Sequence, residues 1–327
     1  MIIAIRDFIH FTRAYQWYHG KMPLMIGFVL TLFLTAPGSQ QGILWVLVAY
    51  VLTCLYLASA YMLNNIADKK QDSIVNKKIG LEGWSQRKIA IPVIIFAVLC
   101  LWIAVVLLPV LAICALIGCY ILAWSYSFPP RFKEHAVLGP IFCPIAQIPA
   151  PALVVAVAWG SLPMPALIYL MIAYFYFLRM LLVHQLMDYE NDCITGTHTT
   201  AIALGVPATR RLVQWAFALE VFCTIIFLIF IVHAGLPKIL LISLVWLLFL
   251  AILRWKRREP IQLYNYSYIP LADVHESLVP IILAISVVIR YGNSMIAIIP
   301  LVVILFLNRH IERLVRPLIQ WKDIIVD

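Results

Sequence analysis

Two short acidic stretches interrupt a chain that has few acids. The first is Asn64-Asn65-Ile66-Ala67-Asp68-Lys69-Lys70-Gln71-Asp72 and the second Asp188-Tyr189-Glu190-Asn191-Asp192; each begins where a long apolar run ends. In both, two aspartates stand four positions apart, which on a helix sets their carboxylates on one face, with Asn64 a turn earlier on nearly the same side. Of 15 acidic residues in the chain, five fall in these two stretches, more than solvation of helix ends requires. Two carboxylate pairs at the same end of two membrane helices would form a mouth of oxygen ligands, suited to a divalent cation that holds a phosphorylated lipid. Four facing carboxylates repel unless cations lie between them. Mg²⁺ keeps several waters and takes a few carboxylates plus substrate phosphate oxygens, so it fits this pattern better than Ca²⁺ does.

The elements that must position these residues are membrane helices. The chain has 327 residues, 64% of them hydrophobic and 12% charged, which excludes an ordinary water-soluble globule. Apolar runs long enough to cross a bilayer lie near 17–36, 42–64, 89–108, 110–127, 138–159, 163–187, 211–233 and 236–253, with shorter ones near 276–291 and 293–309. The expectation is an all-α polytopic bundle of nine or ten transmembrane helices around a central cavity. It forms one domain over 1–327, with a core at 10–290 and an extra C-terminal helix at 293–309.

The net charge of +9 does not call for nucleic acid, because the basic residues sit in the loops between apolar runs. Both termini and the loops after runs two, four, six and eight hold 21 of the 24 lysines and arginines; Arg179, Lys238 and Arg290 are the others. The positive-inside rule then makes those loops cytoplasmic, in a cytoplasmic (inner) membrane. Four crossings separate Asp68 from Asp188, so both acidic stretches emerge toward the cytoplasm. The seven cysteines show no paired spacing and read as reduced packing residues. Met1 to Lys21 is amphipathic and lacks the short apolar core of a removable signal peptide.

These residues resemble the UbiA superfamily of intramembrane prenyltransferases, whose motifs have the forms N-D-x-x-D-x-x-x-D and D-x-x-x-D, the latter followed by glycine, threonine and Leu-Gly. The first is matched by Asn64, Asn65, Asp68 and Asp72; the second by Asp188 and Asp192, then Gly196, Thr199, Leu204 and Gly205. Tyr126-Ser127-Phe128-Pro129-Pro130-Arg131-Phe132-Lys133 is similar to the family's loop after the fourth helix. The likeness spans about residues 10–290. It implies a cavity open laterally to lipid, in which Asp68, Asp72, Asp188 and Asp192, with Asn64, bind Mg²⁺ and a prenyl diphosphate donor. Ionisation would give an allylic carbocation, which a small lipophilic or aromatic acceptor attacks. Asn65 stands where the family usually has the first motif's aspartate, which removes one anionic ligand.

Chemistry assigns further roles. Lys77, Arg131 and Lys133 are the candidates to meet the departing diphosphate. Tyr126 is a candidate for substrate contact, and Tyr61, Tyr174 and Tyr176 lie at a depth where aromatic faces could steady a cation. Arg179, within the sixth run, needs a carboxylate, carbonyl or phosphate partner, and is counted with the substrate-binding residues. His184, one turn before Asp188, could orient that aspartate. Two rivals remain. A membrane terpene cyclase would keep the fold but close the cation on itself. A cation-coupled transporter or lipid-binding membrane protein is disfavoured, because transporters place such sites at helices broken in mid-membrane. A CDP-alcohol phosphatidyltransferase is set aside, since its D-G-x-x-A-R opening is absent.

Overall fold

The computed structural model of the chain describes residues 11–36, 42–75, 86–233 and 274–291. Among the described residues every regular element is helical: α1 (Ala14–Gly20), α2 (Met22–Thr35), α3 (Gly42–Ile74), α4 (Gln86–Leu107), α5 (Val110–Ser127), a 3₁₀ turn (Phe132–Glu134), α6 (Leu138–Gln147), α7 (Pro149–Trp159), α8 (Met164–Met187), α9 (Tyr189–Thr195), α10 (Thr200–Leu204), α11 (Val206–His233), a π turn (Val274–Leu278) and α12 (Val279–Tyr291).

Six of these stretches are long and apolar enough to cross a bilayer. The expected crossing at 138–159 is instead two helices, α6 and α7, meeting at 48°; counted as one span it makes a seventh. The cause is Pro149, which opens α7 without an N–H to continue the ladder of α6. At this bend the Ala146 carbonyl accepts a hydrogen bond from the Tyr56 hydroxyl of α3 at 2.9 Å, so the backbone oxygen is not stranded in apolar surroundings. Run one is likewise divided, at Lys21, between α1 and the 14 residues of α2. The expected crossings at 236–253 and 293–309 lie outside the described residues.

Helix α8 is central, packed against α11, α6, α2 and α7, whereas α4 and α5 present Ile91, Ile94, Val98, Trp102, Val105 and Ile121 outward, as lipid-facing helices do. The end of α2 is tied down from three sides. Arg290 donates to the Leu34 carbonyl at 2.8 Å, Tyr291 to the Phe33 carbonyl at 3.2 Å and Trp159 to the Ala36 carbonyl at 2.9 Å, which satisfies the oxygens a helix leaves open at its C-terminus.

Close approach of α2 and α8 requires Gly27. A Cβ there would overlap the Tyr169 hydroxyl, which is buried with its ring edge-on to Phe227. Gly27→Ala should therefore destabilise the bundle by about 1–3 kcal/mol through overpacking. Thermal unfolding in detergent would register it, with Tyr169→Phe in the same background expected to restore part of the loss.

Candidate active site

Helix α3 runs through the first acidic stretch without a break. The apolar run ends at 64, yet the helix continues to Ile74, because nothing in Asn65 to Ser73 is a strong breaker and the helix leaves the apolar layer intact. Asp68 and Asp72 thus share one face of a continuous helix, as their spacing predicts. The second stretch is built differently. Helix α8 ends at Met187, Asp188 is the cap residue between α8 and α9, and Gly196 closes α9 in the left-handed conformation, at φ 68°. Thr199 donates to Asp192 Oδ2 at 3.1 Å, holding the carboxylate against the start of α10.

A single cavity of about 670 Å³ receives both stretches: Asn64, Asn65, Asp68 and Asp72 line it from α3, and Asp188 and Asp192 from α8 and α9. Tyr61, Tyr126, Lys133 and His184 also line it. His184 Nδ1 lies 3.5 Å from Asp188 Oδ2, the geometry expected of a turn-apart pair.

The loop after α5 is latched across the first motif. The Lys133 ammonium meets Asp68 Oδ1 in a very short contact and lies 3.4 Å from Asn64 Oδ1, which also accepts from Ser127 Oγ at 3.2 Å. Arg131, in the left-handed conformation, donates to Gln71 at 2.9 Å, pairs with Glu134 at 2.8 Å and approaches Asp68 at 3.5 Å. Gln71 in turn donates to Glu134 at 2.9 Å. The same loop reaches the second motif, since Thr200 donates to the Ala136 carbonyl at 2.8 Å. Burial pulls the Lys133 ammonium below the ordinary lysine value, and the Asp68 carboxylate opposes that fall. A buried ammonium on Asp68 and Asn64 marks a place where this site holds positive charge.

Among the described residues no three histidine, cysteine, aspartate or glutamate side chains stand close enough together to share one ion. The donors are instead an oxygen-only set facing one another around the cavity, which suits a hard cation that completes its shell with waters and phosphate oxygens, and does not suit a closed protein cage.

Other expected site residues lie elsewhere. Arg179 is fully buried, with Nε 2.7 Å from Glu220 Oε2 and Nη2 2.9 Å from Glu220 Oε1, and its guanidinium stacks on Tyr176 and Phe217. It does not line the cavity, because a carboxylate on α11 takes its fork in bidentate fashion. Tyr176 donates to Glu276 in a very short bond and faces that buried group, and Tyr174 packs edge-on to Phe175; neither lines the cavity. Arg131 acts from behind the lining, and Lys77 lies outside the described residues. Asn65 is tied down: its Nδ2 donates to the Phe11 carbonyl at 2.7 Å, which an aspartate could not do. Gln71 and Glu134 were not foreseen. Their signal, a polar residue one turn from Asp68 and an acid among basic loop residues, becomes legible only when the loop is seen folded over α3.

The described helices enclose an acid-lined cavity that also receives the Lys133 ammonium. The chain belongs to the UbiA prenyltransferase family, whose model matches residues 23–264. It is an integral membrane protein of that family. No curated protein sequence matches it. Its fold is similar to that of a UbiA homologue from Archaeoglobus fulgidus bound to DMAPP and Mg²⁺, with TM-score 0.59 and 19% identity over 85% of this chain and 97% of that one. The same homologue bound to GPP and Mg²⁺ matches with TM-score 0.59 and 19% identity over 91% and 99%. The apo structure of a UbiA homologue from Aeropyrum pernix K1 gives TM-score 0.59 and 16% identity over 84% and 98%.

Proposed function

We propose that this protein is a Mg²⁺-dependent prenyltransferase, a single transmembrane domain of the cytoplasmic membrane with its active site toward the cytoplasm. It moves an isoprenoid chain from prenyl diphosphate to a small aromatic acceptor. The observation that carries this reading is the convergence of both aspartate stretches, 120 positions apart, on one cavity together with Lys133. The bound DMAPP, GPP and Mg²⁺ of the similar structures support the donor class and the metal.

Asn64, Asp68, Asp72, Asp188 and Asp192 would hold Mg²⁺ and, through it, the donor. Bound Mg²⁺ supplies positive charge against the negative charge that grows on a departing diphosphate. Lys133 adds a positioned ammonium at the same end, and Arg131 holds the loop that carries it. Lys77 is the remaining cationic candidate. The donor's C1–O bond breaks with its electron pair leaving on the diphosphate. The allylic carbocation left behind lies among Tyr126, Leu57, Ala60 and Met180, side chains that exclude water. An acceptor carbon or oxygen then bonds to C1 and releases a proton. His184, oriented by Asp188, lines the space that such an acceptor enters.

The test is diphosphate release by the protein in lipid, across donors of several lengths, with Mg²⁺ or EDTA, and with aromatic acceptors followed by product mass. Metal-dependent release together with a prenylated acceptor is expected. A hydrocarbon formed without acceptor would mean cyclisation instead, and absence of release with every donor, in folded protein, would overturn the enzyme reading.

A further inference from the structure

The loop between α5 and α6 carries two cations to the first acidic stretch, and they are held in different ways. Arg131 is pinned: it donates to Gln71 at 2.9 Å and pairs with Glu134 at 2.8 Å, while Gln71 donates to the same Glu134 carboxylate at 2.9 Å. This ring of three side chains clamps the loop to α3, and Thr200 secures its far end through the Ala136 carbonyl. Lys133 instead reaches into the cavity, its side chain 12% exposed, and sets its ammonium on Asp68 Oδ1, with Asn64 Oδ1 at 3.4 Å.

Those two oxygens belong to the set that the reading above gives to Mg²⁺. A metal bound at about 2.1 Å from an oxygen strongly repels an ammonium seated on that same oxygen, and partial burial leaves little water to screen the two. The ammonium must therefore leave before both oxygens can serve the metal. The clamp does not oppose that movement, because Arg131 and Thr200 fix the loop while Lys133 swings on a flexible four-carbon stem. What opposes it is the lack of another anion. Glu134 is engaged by Arg131 and Gln71, and the other aspartates lining the cavity, Asp72, Asp188 and Asp192, belong to the same metal-binding set. A buried ammonium parted from its carboxylate is costly. The group that can receive it is the diphosphate, which is itself repelled by the four carboxylates until a metal lies between.

We propose that Lys133 competes with the metal for Asp68 and Asn64 and is drawn off them by the donor's diphosphate, so that metal and donor load together. This rests on the Mg²⁺-dependent reading above and adds its order of assembly. Lys133 changes partner from carboxylate to phosphate, and each ligand binds more tightly once the other is in place. A lysine that merely binds diphosphate would leave the affinity for metal alone unchanged; a competing one lowers it.

The experiment titrates Mn²⁺, followed by its electron paramagnetic resonance signal, into the full chain in nanodiscs of zwitterionic lipid. The natural protein is compared with Lys133→Gln, Lys133→Arg and Arg13→Gln, each shown folded by thermal unfolding. The titrations are repeated with a prenyl thiolodiphosphate and corrected for the complex it forms with Mn²⁺ in solution. K133Q is expected to bind Mn²⁺ alone about tenfold or more tightly than the natural protein, and the enhancement by the thiolodiphosphate to shrink by about the same factor. K133R, which restores a cation at Asp68, should return toward natural values. R13Q, which removes a cavity-lining charge outside this contact, should change Mn²⁺ affinity far less. The proposal is overturned if K133Q binds Mn²⁺ no more tightly than the natural protein, if R13Q matches its gain, or if the enhancement survives K133Q undiminished; all three leave the metal-dependent reading intact. Mn²⁺ bound by no variant, with or without the thiolodiphosphate, would overturn that reading and this proposal with it.

Discussion

Alanine in place of Asp68 or Asp188 should reduce metal-dependent diphosphate release by about a thousandfold or more. The two substitutions act on different walls of one cavity, so on the proposed reading either would remove one side of the charge that holds the donor. Asp68→Ala has a second consequence. It strips Lys133 of its carboxylate and Arg131 of one of its partners, leaving buried positive charge beside Asn64 and loosening the loop that closes over α3. Asp188→Ala removes the carboxylate that His184 faces, but leaves Thr199 on Asp192. Asp68→Ala is thus expected to lower thermal stability as well as rate, and Asp188→Ala chiefly rate. Release assayed in lipid with each variant shown folded settles it, and either variant retaining a tenth of the natural rate would contradict the assigned role.

The largest effect on stability is expected at Glu220, far from any substrate. Arg179 and Glu220 are both fully buried, and Glu220 Oε1 also lies 3.0 Å from His275 Nε2. Glu220→Ala would leave a guanidinium without its carboxylate inside the bundle, at a cost of about 3–5 kcal/mol. The consequence reaches the site, because α8 carries Arg179 about two turns before its end at Met187, next to Asp188. Thermal unfolding in detergent should show a large downward shift for Glu220→Ala. The double change Arg179→Met with Glu220→Leu should lose less than either single change, since it removes both charges and keeps their volume. Equal melting of Glu220→Ala and the natural protein would mean that the pair contributes nothing.

Local patterns carried much of this protein. Val93 to Leu107 and Val110 to Ser127 are legible as membrane helices because an unpaired backbone in lipid leaves the chain few alternatives. The four-residue spacing of Asp68 and Asp72 fixed their common face for the same reason: helix period is a local property. The motif likeness placed the second pair at the same cavity, and the fold brings them there. Where the local pattern was incomplete, the deviations have causes that the run length hides. The crossing at 138–159 bends because Pro149 cannot continue the ladder, and α3 outlasts its apolar run because polar residues can be helical.

What the sequence by itself determined, then, is that the chain is built of apolar helices, which helix ends carry acid and that Mg²⁺ and diphosphate chemistry suit those acids. Only the tertiary structure decided who pairs with whom. Arg179 finds Glu220 across 41 positions and Lys133 finds Asp68 across 65, while Lys21, indistinguishable in sequence from an interface anchor, turns inward to two aromatic rings. The reason is physical. Hydropathy and helix period are set by neighbours along the chain, whereas the partner of a buried charge is set by which helices pack together, and the free energy of that pairing exists only once water has been excluded from both groups.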